Sequence, residues 1–136
     1  MSRIVYLDCF SGVSGDMLLG ALIGAGVPED ALRAELVKLN VPGWRLDVRR
    51  VTRAGIAAVK ADVVVTVAQP PHRRLRDVLA IVDAAQLPEQ DRQRGSAVFR
   101  ALADAEARVH GVAPEEVDFH EAGAIDAIVD VMGAVA

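Results

Sequence analysis

Residues 44–67 decide the fold, and they read WRLDVRRVTRAGIAAVKADVVVTV. From Trp44 to Val48 every second residue is apolar and the residues between are charged, a period of two that predicts a strand. The same alternation returns from Val59 to Val67. Because the turn-like segment Thr52–Gly55 lies between the two runs, they are expected to pair as a β-hairpin.

Helical spacing on both sides of this hairpin predicts about five helices. They are a buried helix over Met17–Ala25 capped by Asp16, a helix from Pro28 with a stripe of Leu32, Leu36 and Leu39, a helix around Leu75–Val82, a longer one from Pro88 to Gly111, and a last one from Glu121 onward. The apolar run Ile4–Leu7 predicts one further, buried strand. The expected fold is therefore α/β (α+β), a small mixed sheet with a β-hairpin covered by about five helices.

Length and composition narrow the class of protein. The 136 residues suffice for one domain, and 52% hydrophobic with 25% charged residues is far from the composition of disordered chains. A net charge of −4 without a dense basic face argues against binding to nucleic acid. A single cysteine, Cys9, the absence of a signal peptide and the lack of a bilayer-spanning apolar stretch predict a cytoplasmic protein with no membrane partner.

The organisation of the chain predicts that more protein follows it. A flexible loop is expected around residues 68–74, and the sequence stops inside a helical pattern. Residues 1–136 are therefore interpreted as a single N-terminal domain of a longer protein. The last helix has an apolar face that needs a partner, so a homo-oligomer is also expected. The residues of that face are Ile125, Ile128, Val129 and Met132.

The first group of residues that could carry chemistry is the segment DCFSGVSGD, residues 8–16. Its hydroxyl and glycine residues are Ser11, Gly12, Ser14 and Gly15. Glycines let backbone N–H groups turn toward an anion, while Asp8 at a strand end and Asp16 at a helix start can hold a cation. The segment predicts a site for a metal or a metal-bridged phosphate. The alternative is structural, with Asp16 as a helix cap and Ser11-Gly12 as a turn.

The second group is His120-Glu121 followed by Asp126 and Asp130. The two aspartates lie one helical turn apart, where like charges repel by about 0.2–0.5 kcal/mol, so a cation, an arginine or a helix N-terminus should compensate them. Imidazole with carboxylates is a ligand set suited to Ni²⁺, Zn²⁺ or Mn²⁺. The alternative is an acidic cluster that merely favours the helix dipole, with a structural histidine beside it.

Two further residues are weaker candidates. His72 follows a double proline and is expected on an exposed loop, where it could bind metal or simply be solvated. Arg53 lies in the hairpin turn and would act only if an anionic substrate reached it.

With these residues in view, the chain resembles the N-terminal part of the nickel-insertion proteins that complete the nickel-pincer nucleotide cofactor of lactate racemase. The stretches that carry the resemblance are YLDCFSGVSGDM at 6–17, RAGI at 53–56, VHG at 109–111 and VDFHEAGAIDAIVD at 117–130. The first and the last are long and unusual in composition, and together the four span almost the whole chain.

The resemblance implies a nickel chelatase, or cyclometallase, acting on pyridinium-3,5-bisthiocarboxylic acid mononucleotide. Such an enzyme forms Ni–S bonds and a Ni–C bond while CTP is split to CMP and pyrophosphate with Mg²⁺ or Mn²⁺ present. It further implies a C-terminal domain of the same protein that binds CTP, and the lactate racemase apoprotein as recipient of the product. That nucleotide-binding domain is absent from residues 1–136, so this part alone is expected to be inactive.

Within that chemistry, Asp8, Asp16, His120 and Glu121 are expected to converge on one site as nickel ligands and proton acceptor, with their roles left undivided. The full set of predicted metal ligands is His72, His120, Glu121, Asp8, Asp16, Asp126 and Asp130. The predicted catalytic acids are Asp8, Asp16 and Glu121. The predicted substrate contacts are Ser11, Gly12, Ser14, Gly15 and Arg53. Two alternatives stay open: a non-catalytic domain for oligomerisation or docking, and a metal-dependent phosphohydrolase.

Overall fold

A computed structural model describes residues 4–68 and 72–136. In chain order the elements are helix α1 (Gly15–Gly24), helix α2 (Glu29–Val37), strand β1 (Trp44–Arg53), strand β2 (Ile56–Val65), strand β3 (Arg73–Arg74), helix α3 (Leu75–Ala84), helix α4 (Glu89–His110), a 3₁₀ turn (Pro114–Glu116), strand β4 (Asp118–Phe119) and helix α5 (Ile125–Val135). The α/β class and the five α-helices of the described part confirm the sequence prediction. No helix among the described residues is long and apolar enough to span a membrane.

The predicted hairpin is confirmed. Strands β1 and β2 pair antiparallel, from Trp44 opposite Val65 to Arg53 opposite Ile56. The turn between them has φ of 48° at Ala54 and 80° at Gly55, the two positive values that a tight hairpin turn needs. The alternation places Leu46 and Ala61 in the core, at 4% and 0% exposure.

A second, shorter strand pair joins distant parts of the chain. Strand β3 pairs antiparallel with β4, with Arg73 opposite Phe119 and Arg74 opposite Asp118. Residues 73–74, at the end of the flexible loop predicted around residues 68–74, thus have a hydrogen-bonded partner strand. Residues 69–71 of that predicted loop lie outside the described residues.

The expected buried strand at Ile4–Leu7 is not formed. This segment belongs to no strand or helix, and its side chains are exposed, with Ile4 at 91% and Tyr6 at 85%. Each described strand pairs only within its own two-stranded sheet, and the segment joins neither sheet. The expected single mixed sheet is accordingly replaced by two separate antiparallel pairs.

The helices follow their predicted positions with local differences. Helix α1 begins at Gly15 with Ser14 as its N-cap residue, so Asp16 lies in the first turn instead of capping it. It is also less buried than expected, since Met17 is 61% exposed. Helix α5 begins at Ile125, because residues 121–124 form a turn. The predicted stripe of α2 is confirmed: Leu32, Leu36 and Leu39 are all buried.

Helix α5 is the centre of the packing. It contacts α1, α2, α4 and β2, and four of its apolar residues are between 0% and 5% exposed. The face formed by Ile125, Ile128, Val129 and Met132 is therefore covered by the protein's own core. The expectation that this face needs an outside partner is wrong, because the other helices already cover it.

Helix α1 approaches β2 at a glycine. A Cβ atom at Gly20 would lie 2.4 Å from the carbonyl oxygen of Val59, a distance that side chains do not tolerate. At Gly24, one turn further along the same helix, a Cβ atom would lie 3.7 Å from Cγ2 of Val59, which is ordinary contact. Gly20 and Gly24 thus both face Val59, but only Gly24 has room for a Cβ atom.

We expect Gly20→Ala to lower the free energy of unfolding by about 1–3 kcal/mol, because the added methyl group forces α1 away from a backbone carbonyl that cannot move aside. In the matched control, Gly24→Ala should leave stability unchanged or raise it by up to about 1 kcal/mol through helix propensity. Urea unfolding followed by circular dichroism measures both. Equal effects of the two substitutions would show that the close approach at Gly20 is absent.

Candidate functional site

The start of α1 lies directly against α5. A Cβ atom at Gly15 would be 2.4 Å from Cβ of Asp130, so only glycine permits this approach. The backbone N–H of Asp16 acts to lower the pKa of the Asp130 carboxyl, against the larger effects that raise it. The positive end of α1 thus offsets part of the negative charge on α5.

Four aspartates influence one another at this contact. We call Asp16, Asp62, Asp126 and Asp130 the carboxylate cluster. Burial raises the pKa of Asp130 from 3.8 to about 7, and the charges of Asp16, Asp126 and Asp62 act in the same direction. The Oδ1 atoms of Asp126 and Asp130 are buried without a hydrogen-bond partner among the described residues. Unpaired buried carboxylate oxygens are costly, and a bound cation would satisfy them.

Basic side chains of the hairpin border the carboxylate cluster. Lys60 forms an ion pair with Asp62, and its Nζ lies 3.9 Å from Oδ2 of Asp16. Nη1 of Arg49 lies 2.6 Å from Oδ2 of Asp62. The hydrogen bond from Lys60, aided by Arg49, lowers the pKa of Asp62 against the opposing effect of burial. Asp62 is thus neutralised by the hairpin, whereas no such basic partner of Asp126 or Asp130 is found among the described residues.

A separate pair of histidines flanks the β3–β4 strands. The ring centroids of His72 and His120 are 4.8 Å apart and the rings are perpendicular. Both residues are exposed. Next to them, Nη1 of Arg73 donates a 2.5 Å hydrogen bond to the carbonyl oxygen of Gly123.

Several other predicted site residues lie at exposed positions, before α1 and at the tip of the hairpin. Asp8, Ser11 and Gly12 lie in the exposed segment before α1, where the N–H of Gly12 bonds to the carbonyl of Cys9 at 2.9 Å. Arg53 is exposed at the tip of the hairpin. These positions leave the predicted substrate roles open, while the turn at Ser11-Gly12 agrees with the structural alternative.

Ser14 lies next to the carboxylate cluster. Its hydroxyl donates a hydrogen bond to the Asp16 carboxylate. Together with Gly15, it therefore links the predicted loop to the start of α1.

The expected convergence of Asp8, Asp16, His120 and Glu121 is not found. Within residues 4–68 and 72–136, no group of three or more His, Cys, Asp or Glu side chains is arranged to hold a metal ion. Asp16 faces α5 and Lys60, while His120 faces His72. The reason is topological, since the loop that carries Asp8 is not anchored by a strand and His120 belongs to a different strand pair.

Two surface grooves of the described part are lined mainly by other residues. One of about 510 Å³ includes Asp83, Arg92 and Arg100 in its lining, and one of about 460 Å³ includes Ile23 and Arg50. Neither groove is lined by a predicted site residue.

Sequence reasoning missed Lys60, Asp62 and Arg49, and it treated His72 and His120 separately. The hairpin register contained a usable signal, because it places Arg49 directly opposite Lys60 and next to Asp62 on the polar face. The histidine pair had no local signal, because it depends on the long-range pairing of β3 with β4.

Comparison with known proteins gives the family. The model of the nickel insertion protein family matches residues 5–136. This range includes Asp16 and Asp130 at the contact of α1 with α5, and the paired histidines His72 and His120. The chain belongs to the nickel insertion protein family. No solved structure matches the chain at a significant level.

Its relatives are much longer than it is. A putative nickel insertion protein of Roseiflexus castenholzii is 47% identical over 136 residues, covering 100% of this chain and 34% of the relative. One from Thermomicrobium roseum is 51% identical over 134 residues, 98% of this chain and 33% of the relative. The pyridinium-3,5-bisthiocarboxylic acid mononucleotide nickel insertion protein of Geobacillus kaustophilus is 41% identical over 139 residues, 96% of this chain and 34% of the relative. The chain thus spans about a third of the length of these relatives.

The environment of Asp130 predicts a pH dependence of stability. Because its pKa is about 7 in the folded protein and 3.8 as an ordinary value, the folded state binds the proton more tightly than the unfolded state does. Its stabilising contribution is complete below the ordinary value and is lost as the pH rises through the folded value. We expect Asp130→Asn to stabilise the protein at about pH 8 relative to wild type, with a smaller difference at about pH 4.

Urea unfolding at several pH values measures this difference, with Asp104→Asn on the exposed side of α4 as control. The control should follow the wild-type profile throughout. A wild-type profile in Asp130→Asn as well would show that Asp130 does not titrate in this range.

Proposed function

We propose that the protein is the N-terminal part of a nickel chelatase that inserts Ni²⁺ into pyridinium-3,5-bisthiocarboxylic acid mononucleotide. The observation that carries this proposal is the family match over residues 5–136, supported by a relative named for that insertion with 41% identity. In the proposed reaction, Ni²⁺ exchanges from protein ligands to the softer sulfur donors of the substrate. The ring carbon that bonds nickel loses its proton to a side chain acting as general base.

The carboxylate cluster fits a hard divalent cation better than it fits nickel. Mg²⁺ is commonly bound by one or two carboxylates, several waters and substrate phosphates, and Mn²⁺ also prefers oxygen ligands. The buried, unpartnered oxygens of Asp126 and Asp130 supply two such ligands. When bound, the cation would neutralise nucleotide phosphates during the proposed cleavage of CTP. We propose that Asp126 and Asp130 hold it as a pair.

Nickel and substrate are assigned to the other predicted residues. The proposed nickel ligands are drawn from Asp8, Asp16, His72, His120 and Glu121, and the proposed proton acceptors from Asp8, Asp16 and Glu121. Ser11, Gly12, Ser14, Gly15 and Arg53 are the proposed substrate contacts. Because Asp8, Ser11, Gly12 and Arg53 are exposed, the remainder of a longer protein would have to close the site over them.

The proposed setting follows from the same chemistry. CTP binding is assigned to a C-terminal domain corresponding to the other two thirds of the relatives, and the lactate racemase apoprotein is the proposed recipient of the finished cofactor. We propose a cytoplasmic location, since an exposed thiol such as Cys9 stays reduced there. We also propose that the protein forms a homo-oligomer.

A docking domain is the second candidate function. The observation that favours it is the exposed apolar segment before α1, in which Ile4, Tyr6 and Phe10 are 91%, 85% and 92% exposed. Such a segment is suited to adding a strand to another sheet. In this alternative the chain would support the assembly without touching the reacting atoms.

An insertion assay separates the two functions. The protein as encoded by its gene is incubated with the pyridinium substrate, Ni²⁺, Mg²⁺ and CTP, and the nickel-containing product is detected by mass spectrometry. We expect the double variant Asp126→Asn/Asp130→Asn to lose about tenfold or more of the product-forming rate, because it removes both proposed cation ligands.

Asp104→Asn is the matched control and should retain the wild-type rate. An unchanged rate in the double variant would favour the docking function for this chain. No product under any condition, although the protein is folded, would refute the proposed reaction.

A further inference from the structure

His72 and His120 occupy facing positions on two strands. The β3–β4 register pairs Arg73 with Phe119, so the next pair outward on the same ladder is His72 with His120. The two side chains meet with ring centroids 4.8 Å apart at an angle of 90°. This juxtaposition is produced by the fold, since the two residues lie far apart in the chain.

The backbone beneath the two rings is held by several interactions. Besides the strand pairing, Arg73 donates to the carbonyl oxygen of Gly123 at 2.5 Å, and Nε of Arg74 lies 3.1 Å from Oδ1 of Asp118. These contacts link both strands on either side of the histidines. They also engage the two neighbouring arginines with oxygen acceptors, which moderates their repulsion toward a cation.

The separation of the rings matches joint binding of one metal ion. With metal–nitrogen bonds of about 2.1 Å, two imidazoles at adjacent positions of one ion have ring centroids about 4.5 Å apart. The observed 4.8 Å is close to that value. Both residues are exposed, and no hydrogen bond to either ring is found among the described residues. Simple edge-to-face packing of two exposed imidazoles gains little and leaves the ring nitrogens unused.

We propose that His72 and His120 together bind one Ni²⁺ ion across the β3–β4 strands. Imidazole nitrogen suits Ni²⁺, whereas the all-oxygen carboxylate cluster suits Mg²⁺ or Mn²⁺, so the chain separates the two metals by ligand type. The choice of nickel as the ion rests on the proposed function. The pairing of the two histidines as one chelating site rests on the geometry alone.

The site is built to hold nickel loosely. Within the described residues no third His, Cys, Asp or Glu joins the pair in an arrangement that could hold a metal. Water therefore fills the other coordination positions, and sulfur donors of the substrate can replace it without displacing a full protein ligand set. A two-imidazole site is thus suited to handing over nickel, with Ni²⁺ unchanged in charge and the water ligands released.

The test measures Ni²⁺ affinity by calorimetric titration of the protein as encoded by its gene. We expect His72→Ala and His120→Ala each to weaken binding at this site by about tenfold or more, and the double variant to be about as weak as either single variant, because one remaining imidazole forms no chelate. The chain has 3 histidines, and the third, His110, ends α4 and is exposed. His110→Ala is therefore the matched control and should bind as wild type does.

A second measurement needs no variant. Paramagnetic Ni²⁺ added below one equivalent should broaden the ring proton signals of His72 and His120 in parallel and spare those of His110. The pairing would be overturned if the signals of only one of the two histidines broadened. It would also be overturned if the losses of Ni²⁺ affinity in the two single variants added up in the double variant. Unchanged affinity in both single variants would overturn the site.

The outcomes also separate this inference from the proposed function. If both histidine variants bind nickel as wild type does while insertion proceeds, the inference fails and the proposed function stands. If nickel binds at the pair but the protein makes no nickel-containing product, the proposed function fails and the inference stands.

Discussion

The structure depends on the close contact of α1 with α5. Gly15 admits the backbone of α5 at Asp130, and near the other end of α5 a Cβ atom at Gly133 would lie 2.9 Å from Leu19 and Leu36. Because α5 is buried against four other elements, any displacement at these glycines moves the whole core. The same contact brings the aspartates of α1, β2 and α5 together.

The contact that packs α1 against α5 also brings acidic side chains together, and their repulsion lowers the stability of the folded protein. Asp130 lies at the start of α1, where the N–H of Asp16 favours its charged form, yet it is partly buried beside three other carboxylates. Proteins retain such unfavourable charges mainly where a ligand or a reaction uses them. The aliphatic core around Leu19, Ile128 and Met132, all at 0% exposure, offsets the cost and holds the carboxylate cluster in position.

Local patterns predicted the parts of the fold that depend on neighbouring residues. The hairpin and the buried stripe of α2 follow from periodicity alone, because each buries one regular face. The strand expected at Ile4–Leu7 failed because a strand needs a partner edge, which no short apolar run specifies. The His72–His120 pair and the approach of Asp62 to α5 depend on long-range pairing and register, so the sequence supplied the candidate residues but not their partners.

We infer that the α1–α5 contact creates the unusual environment of Asp130. Carbon-detected NMR titration of the side-chain carboxyl groups measures it directly, in wild type and in Gly15→Ala. We expect a midpoint of about 7 for Asp130 in wild type, and a shift toward 3.8 in Gly15→Ala as the methyl group separates the helices. A wild-type midpoint near 3.8 would show that the contact does not perturb Asp130.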